Sequence, residues 1–145
     1  MRAAALAASL AILALSACDT PSPAAGGSVY KAMNGRRVVP LREPAGAFEV
    51  LALPGDAGPQ FFCAAADYAY TMRGARPVDR VVIVRSAGDS LTHPGTRGVA
   101  FRIMSRDEAP PLDGVYLNPR KQGEAATIGH ARQLCRRPVS WFGDD

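Results

Sequence analysis

Several familiar chemical signatures are missing from this chain of 145 residues, and lysine, histidine and tryptophan are scarce. No glycines fall between a strand-like and a helix-like stretch at GxGxxG spacing, so no phosphate-cradling loop of that kind is encoded. No CxxC occurs, which removes a thioredoxin-like redox pair and a zinc ribbon. The two histidines, His93 and His130, and the two late cysteines, Cys63 and Cys135, lack the spacing of a zinc site. No metal ligand set and no cofactor is therefore implied. No two carboxylates share a stretch that reads as a rigid element, and there are no repeats or coiled-coil heptads. Of the 17 basic residues only Lys31 and Lys121 are lysine. With abundant Ala, Gly and Pro, that bias reads as a GC-rich genome rather than a binding function.

One long apolar run is present, at the start. Arg2 supplies a positive charge, Ala3 to Leu15 is apolar but for Ser9, and the small residues Ser16 and Ala17 precede Cys18. A helix across a ~30 Å bilayer core takes roughly 20 residues. Residues 1–17 therefore suit a cleavable export signal better than a permanent anchor. The order Leu15-Ser16-Ala17-Cys18 resembles the lipobox of bacterial lipoproteins. That resemblance implies cleavage before Cys18, a diacylglyceryl group on its thiol and usually an amide-linked acyl chain such as palmitate. At roughly 0.8 kcal/mol per buried CH2, two or more chains make a stable anchor. The implied location is the bacterial cell envelope, anchored by lipid and facing the periplasm. Asp19 resembles the inner-membrane retention signal of enteric lipoproteins. The plainer alternative is an ordinary secretory signal followed by a cysteine. The stretch Phe62 to Tyr68 also resembles small uncharacterised bacterial envelope proteins, a likeness that carries no activity.

Cleavage would remove Arg2 and no acid, so the net charge falls from +4 to +3. The mild positive field suits anionic lipid head groups or wall polymers. Nucleic acid is not expected, because an exported domain rarely meets it. Lipidation takes Cys18 and leaves Cys63 and Cys135 for one disulfide in an oxidising compartment. Closing so long a loop contributes roughly 4 kcal/mol in the chain-entropy model. A nucleophilic cysteine and a metal pair are the alternatives.

The chain divides into a signal peptide at 1–17, a lipidated Cys and flexible tether at 18–28, and a single domain at 29–145. Asn34-Gly35 between apolar runs predicts a hairpin with a type I′ turn, an irregular arm being the alternative. Phe48 to Leu53 alternates as a strand, with Glu49, Leu51 and Leu53 on the face opposite Phe48, Val50 and Ala52. Pro59 to Arg73 reads as a helix closed by Gly74 and Pro77. Its stripe of Phe61, Ala65, Tyr68 and Met72 faces the sheet. Cys63, Asp67 and Tyr70 lie opposite, where the C-terminal segment bearing Cys135 should cover them. Val81 to Arg85 reads as a central strand, Ser86 to Gly98 as a loop and Val99 to Ser105 as the antiparallel partner. Val115 to Leu117 suggests an edge strand and Gly129 to Cys135 a short helix, with Trp141 pinning the tail. The class is α+β: a small antiparallel sheet, one main helix packed across it and a short C-terminal helix.

Asp89-Ser90-Leu91-Thr92-His93 combines an acid, hydroxyls and an imidazole. A triad needs them to converge with the base between nucleophile and acid. Members this close along one loop rarely do so, and a polar turn is the default. His130 suits a general base because imidazole titrates near neutrality, but no partner for it is evident. Asp67 is expected to meet an arginine. Arg36, Arg37, Arg136 and Arg137 are candidate contacts for an anionic surface, although two charges per patch is few. No residue is assigned as catalytic. The leading expectation is a lipid-anchored envelope lipoprotein acting as a non-enzymatic binding or structural accessory. Its partners would be the membrane, through the N-terminal lipid, and an envelope protein or cell-wall polymer. The alternatives are a small envelope hydrolase using His93 or His130, and a module that binds anionic lipid or cell-wall glycan.

Overall fold

In the computed structural model, which describes residues 22–112, 114 and 117–136, the alternating stretches pair into one antiparallel sheet. Its strands are β1 (Tyr30–Lys31), β2 (Arg37–Pro40), β3 (Ala47–Leu51), β4 (Arg80–Asp89), β5 (Arg97–Met104) and β6 (Ala125–Thr127). Their order is β1-β2-β3-β5-β4-β6. Helix α1 (Gly58–Arg73) joins β3 to β4, and β5 inserts between those two strands. A six-residue helix, α2 (Ile128–Gln133), follows β6. This is the expected α+β arrangement.

Local chemistry sets the ends of α1. Pro59 occupies the first turn, the Gln60 side chain accepts from the Ala57 N–H at 3.0 Å, and Gly74 closes the helix at φ 63°. Phe61, Ala65 and Tyr68 are buried as the stripe predicts. Met72 is not: it is 56% exposed, because residues 70–73 extend past the packed layer. The core joins the two layers through aromatic contacts. Phe62 meets Phe101 edge-on at 5.2 Å between centroids, and Tyr68 meets Phe48 at 4.7 Å.

Other expectations shift at their boundaries. The β1–β2 hairpin forms, with Tyr30 opposite Val38, but its turn spans residues 32–36. Gly35 has φ 81° and no non-glycine residue has positive φ among the described residues, so Asn34 cannot complete a type I′ turn. Its side chain braces the turn instead, accepting from the Arg36 N–H at 3.3 Å and donating to the Gln60 carbonyl at 2.8 Å. Strand β4 runs on to Asp89 through two irregularities, pairing Gly88 with Gly98, so the loop is Ser90–Thr96 rather than Ser86–Gly98. Strand β6 has no sequence signal beyond small residues, and β4 recruits it as an edge. Helix α2 starts one residue early, at Ile128, capped by the Thr127 hydroxyl, which accepts from the His130 N–H at 3.3 Å. Val115, Tyr116 and Trp141 lie outside the described residues, and Leu117 belongs to no strand. The Leu117 carbonyl instead abuts α1 so closely that a Cβ at Gly58 would stand 1.5 Å from its oxygen.

Cys63 and Cys135 are disulfide-bonded, with Cα atoms 5.1 Å apart and a sequence separation of 72. The bridge ties the end of the α2 segment to α1. At the other end of the described chain, the Gly26 N–H donates to the Pro40 carbonyl at 2.7 Å and the Arg42 N–H to the Ala24 carbonyl at 3.1 Å. Residues 24–26 thus lie along the end of β2. Among the described residues no helix is long and apolar enough to cross a membrane.

Candidate functional site

Alternation along β3 sends Phe48 and Val50 into the core under α1 and turns Ala47, Glu49 and Leu51 to the other face. Every one of these residues is buried, Glu49 included at 0% exposure. A carboxylate stripped of water survives only if protein donors replace the lost solvent. Here the β4–β5 loop folds back over the sheet to supply them. The Leu91 N–H donates to Glu49 Oε1 at 2.9 Å. The Ser90 hydroxyl, the Thr92 hydroxyl and the Thr92 N–H donate to Oε2 at 2.8, 2.7 and 3.2 Å. Gly98 makes room for this. A Cβ there would stand 2.6 Å from Oε1, so only glycine lets the carboxylate lie across β5.

The donors determine the state of the neighbouring imidazole. Each hydroxyl has one proton. Ser90 gives its proton to Glu49 while its oxygen accepts from the N–H groups of Thr92 at 3.1 Å and His93 at 2.9 Å. Thr92 also gives its proton to Glu49, and its oxygen lies 2.9 Å from His93 Nδ1. Against an ionised Glu49, Nδ1 is the donor of that contact. A neutral His93 ring therefore carries its proton on Nδ1 and leaves the Nε2 lone pair free.

His93 lines a cleft of about 1020 Å3 on this helix-free face. Its walls are the arm at residues 22–29 and the β4–β5 loop, and Arg37 and Arg42 line it as well. Arg42 donates its Nε–H to the Ala25 carbonyl at 2.9 Å. The Arg37 side chain has no hydrogen-bonding or ionic partner among the described residues. Among the described residues no Asp or Glu lines the cleft.

A second buried carboxylate sits on α1. Asp67, 1% exposed, accepts from the Tyr30 hydroxyl at 2.9 Å and the Met33 N–H at 2.9 Å, and Arg132 Nε stands 3.9 Å from its Oδ1. The expected arginine is thus Arg132, whose guanidinium also lies 4.0 Å over the Tyr70 ring. Burial pushes the Tyr30 phenol above its ordinary value, and the Asp67 carboxylate adds to this.

The sequence candidates separate in space. Ser90, Thr92 and His93 come together around Glu49, and Asp89 takes no part in that cluster. His130 is exposed, and its ring has no partner among the described residues. Arg36 forks onto Asp56 while Arg37 enters the cleft. Arg136 is exposed, and Cys18 and Arg137 lie outside the described residues. Among the described residues no three His, Cys, Asp or Glu side chains group as a metal site. Glu49 is the functional residue that sequence reasoning passes over. Its signal is present: an acid between Ala47 and Leu51 on a strand flanked by apolar positions. No family model, no curated protein and no solved structure matches this chain.

Proposed function

We propose that this chain is a lipid-anchored accessory of the bacterial cell envelope that binds its ligand without transforming it. The observation that carries this reading is the proton inventory around Glu49. Both hydroxyls beside His93 donate to a buried carboxylate, and opposite an ionised Glu49 the ring nitrogen facing Thr92 serves as donor. A nucleophilic hydroxyl needs a base within reach to take its proton. The base within reach of Ser90 and Thr92 is the buried Glu49 carboxylate and not the imidazole, which weighs against a hydrolase that uses His93. The exposed ring of His130 has no orienting group among the described residues. The lipobox-like order at Leu15–Cys18 and the Cys63–Cys135 bridge support the envelope location, since structural disulfides persist in oxidising compartments.

The test is the intact mass of the chain extracted from membranes, together with cross-linking in intact envelopes. The expected mass is that of a polypeptide starting at Cys18 plus acyl chains, cross-linked to an envelope component. A cytosolic chain that keeps residues 1–17 overturns the anchor. A hydrolytic turnover abolished by His93→Ala or His130→Ala overturns the non-enzymatic assignment.

A further inference from the structure

The geometry points to the cleft between the arm and the β4–β5 loop as a binding site for a phosphate monoester or inorganic phosphate, held by Arg37, Arg42 and His93. The inference rests on the binding reading above and names its ligand class.

Three observations carry it. First, the cleft gathers two guanidinium groups and an imidazole, with no carboxylate among its described lining residues. Glu49, on the same face, is sealed under the loop by its donors. Second, two of the three cationic groups are held in place, and the third rises from a strand. Arg37 stands on β2, Arg42 is tied at Nε to the arm and keeps its terminal NH2 groups for a ligand, and His93 is fixed through Thr92. Guanidinium forks match the oxygens of a tetrahedral oxyanion and donate to two at once. Third, His93 discriminates among oxyanions. With Nδ1 donating to Thr92, a neutral ring presents Nε2 as an acceptor. A phosphate oxygen that keeps a proton donates to that lone pair, and a doubly protonated ring donates to an unprotonated one. Both ring states thus find a partner on a phosphate monoester. Sulfate and a phosphodiester have no O–H to offer, so a neutral His93 faces their oxygens lone pair to lone pair.

The full chain, extracted in neutral detergent, is titrated with inorganic phosphate, glycerol 3-phosphate and sodium sulfate at fixed ionic strength. Thermal stability and the His93 ring 15N signals are followed. Saturable binding of both phosphates is expected, with at least a tenfold preference over sulfate. Replacing Arg37 and Arg42 together by Ala should weaken phosphate binding at least tenfold. Arg73→Ala, which removes an exposed charge at the far end of α1, should leave it unchanged. His93→Gln should erase the preference over sulfate. Mixed micelles doped with phosphatidic acid or with phosphatidylglycerol identify the source. Binding of phosphatidic acid assigns a lipid head group, and binding of glycerol 3-phosphate alone assigns a soluble ligand. The inference is overturned if phosphate does not saturate, if sulfate or phosphatidylglycerol binds equally well, or if the double arginine variant binds normally. Acyl groups found by mass in a preparation that binds no phosphate would sink the cleft and leave the anchor standing. The reverse result would do the opposite.

Discussion

Glu49 and Asp67 are both buried carboxylates, and each ties down chain far away in sequence, but they do it in different ways. Glu49 takes its donors from three consecutive residues, Ser90, Leu91 and Thr92, and none of those donors is charged. Asp67 draws on β1, the following turn and α2, with the Arg132 guanidinium nearby and the Cys63–Cys135 bridge one helical turn away. The α1 side is therefore held redundantly, and the β4–β5 loop is fastened to the sheet face by one side chain, Glu49. Concentrating the donors on one loop has a structural use. It fixes the loop as a unit and sets the orientation of His93 without placing a competing cation or anion in the cleft.

Breaking the redundancy has the largest expected effect. Cys63→Ser with Cys135→Ser should lower stability by about 4 kcal/mol on the chain-entropy account, read by chemical denaturation. Amide exchange should rise across α2 and stay unchanged in Ser90–His93. Faster exchange in that loop would show that the two sides are one cooperative unit.

Removing the single group comes next. Glu49→Ala strands the Leu91 N–H, takes the acceptor from both hydroxyls and leaves a void, at about 3 kcal/mol. A loss under about 1 kcal/mol, by the same denaturation assay, would mean the loop is held by something else. Glu49→Gln is the sharper probe. Its amide donates toward the Thr92 oxygen and frees the Thr92 proton for His93 Nδ1. The 15N spectrum should then show the ring proton moved to Nε2. An unchanged tautomer would contradict the proton inventory.

Asp67→Asn should cost less, about 1–2 kcal/mol with the bridge intact. It should cost more once both Cys63 and Cys135 are replaced by serine, which a double-mutant cycle measures. Strict additivity would remove the claim that bridge and carboxylate share one task.

The smallest effect appears only in alkali. The folded Tyr30 phenol titrates above its unfolded value of about 10. Its contribution is therefore complete below pH 10 and is lost as pH rises through the folded value. Ionisation would place a phenolate against Asp67, so the β1 region should loosen before the Glu49 loop does. Tyr30→Phe should abolish that early alkaline step, followed by exchange or near-ultraviolet absorbance.

Much of this fold is readable because its signals are local. Pro59, Gly74 and the apolar stripe define α1, and period-two alternation defines β3 and β5. Small-residue segments such as Ala125–Thr127 carry no such signal and become strand only when β4 offers its edge. Arg36 and Arg37 show the limit at single-residue scale. Neighbours in sequence, they suggest one basic patch, yet at the start of a strand they turn opposite ways, one to Asp56 and the other to the cleft.

Residue order alone thus sets the main helix and the alternating strands, and it leaves two thiols for each other once Cys18 is assigned to lipid, as proposed. The placement of β5 between β3 and β4 decides the rest, because it carries the Ser90–His93 loop onto a carboxylate some forty residues away. Periodicity is a property of a few neighbouring residues. Satisfying a buried carboxylate is a property of everything packed around it, and that becomes visible only when the chain has closed.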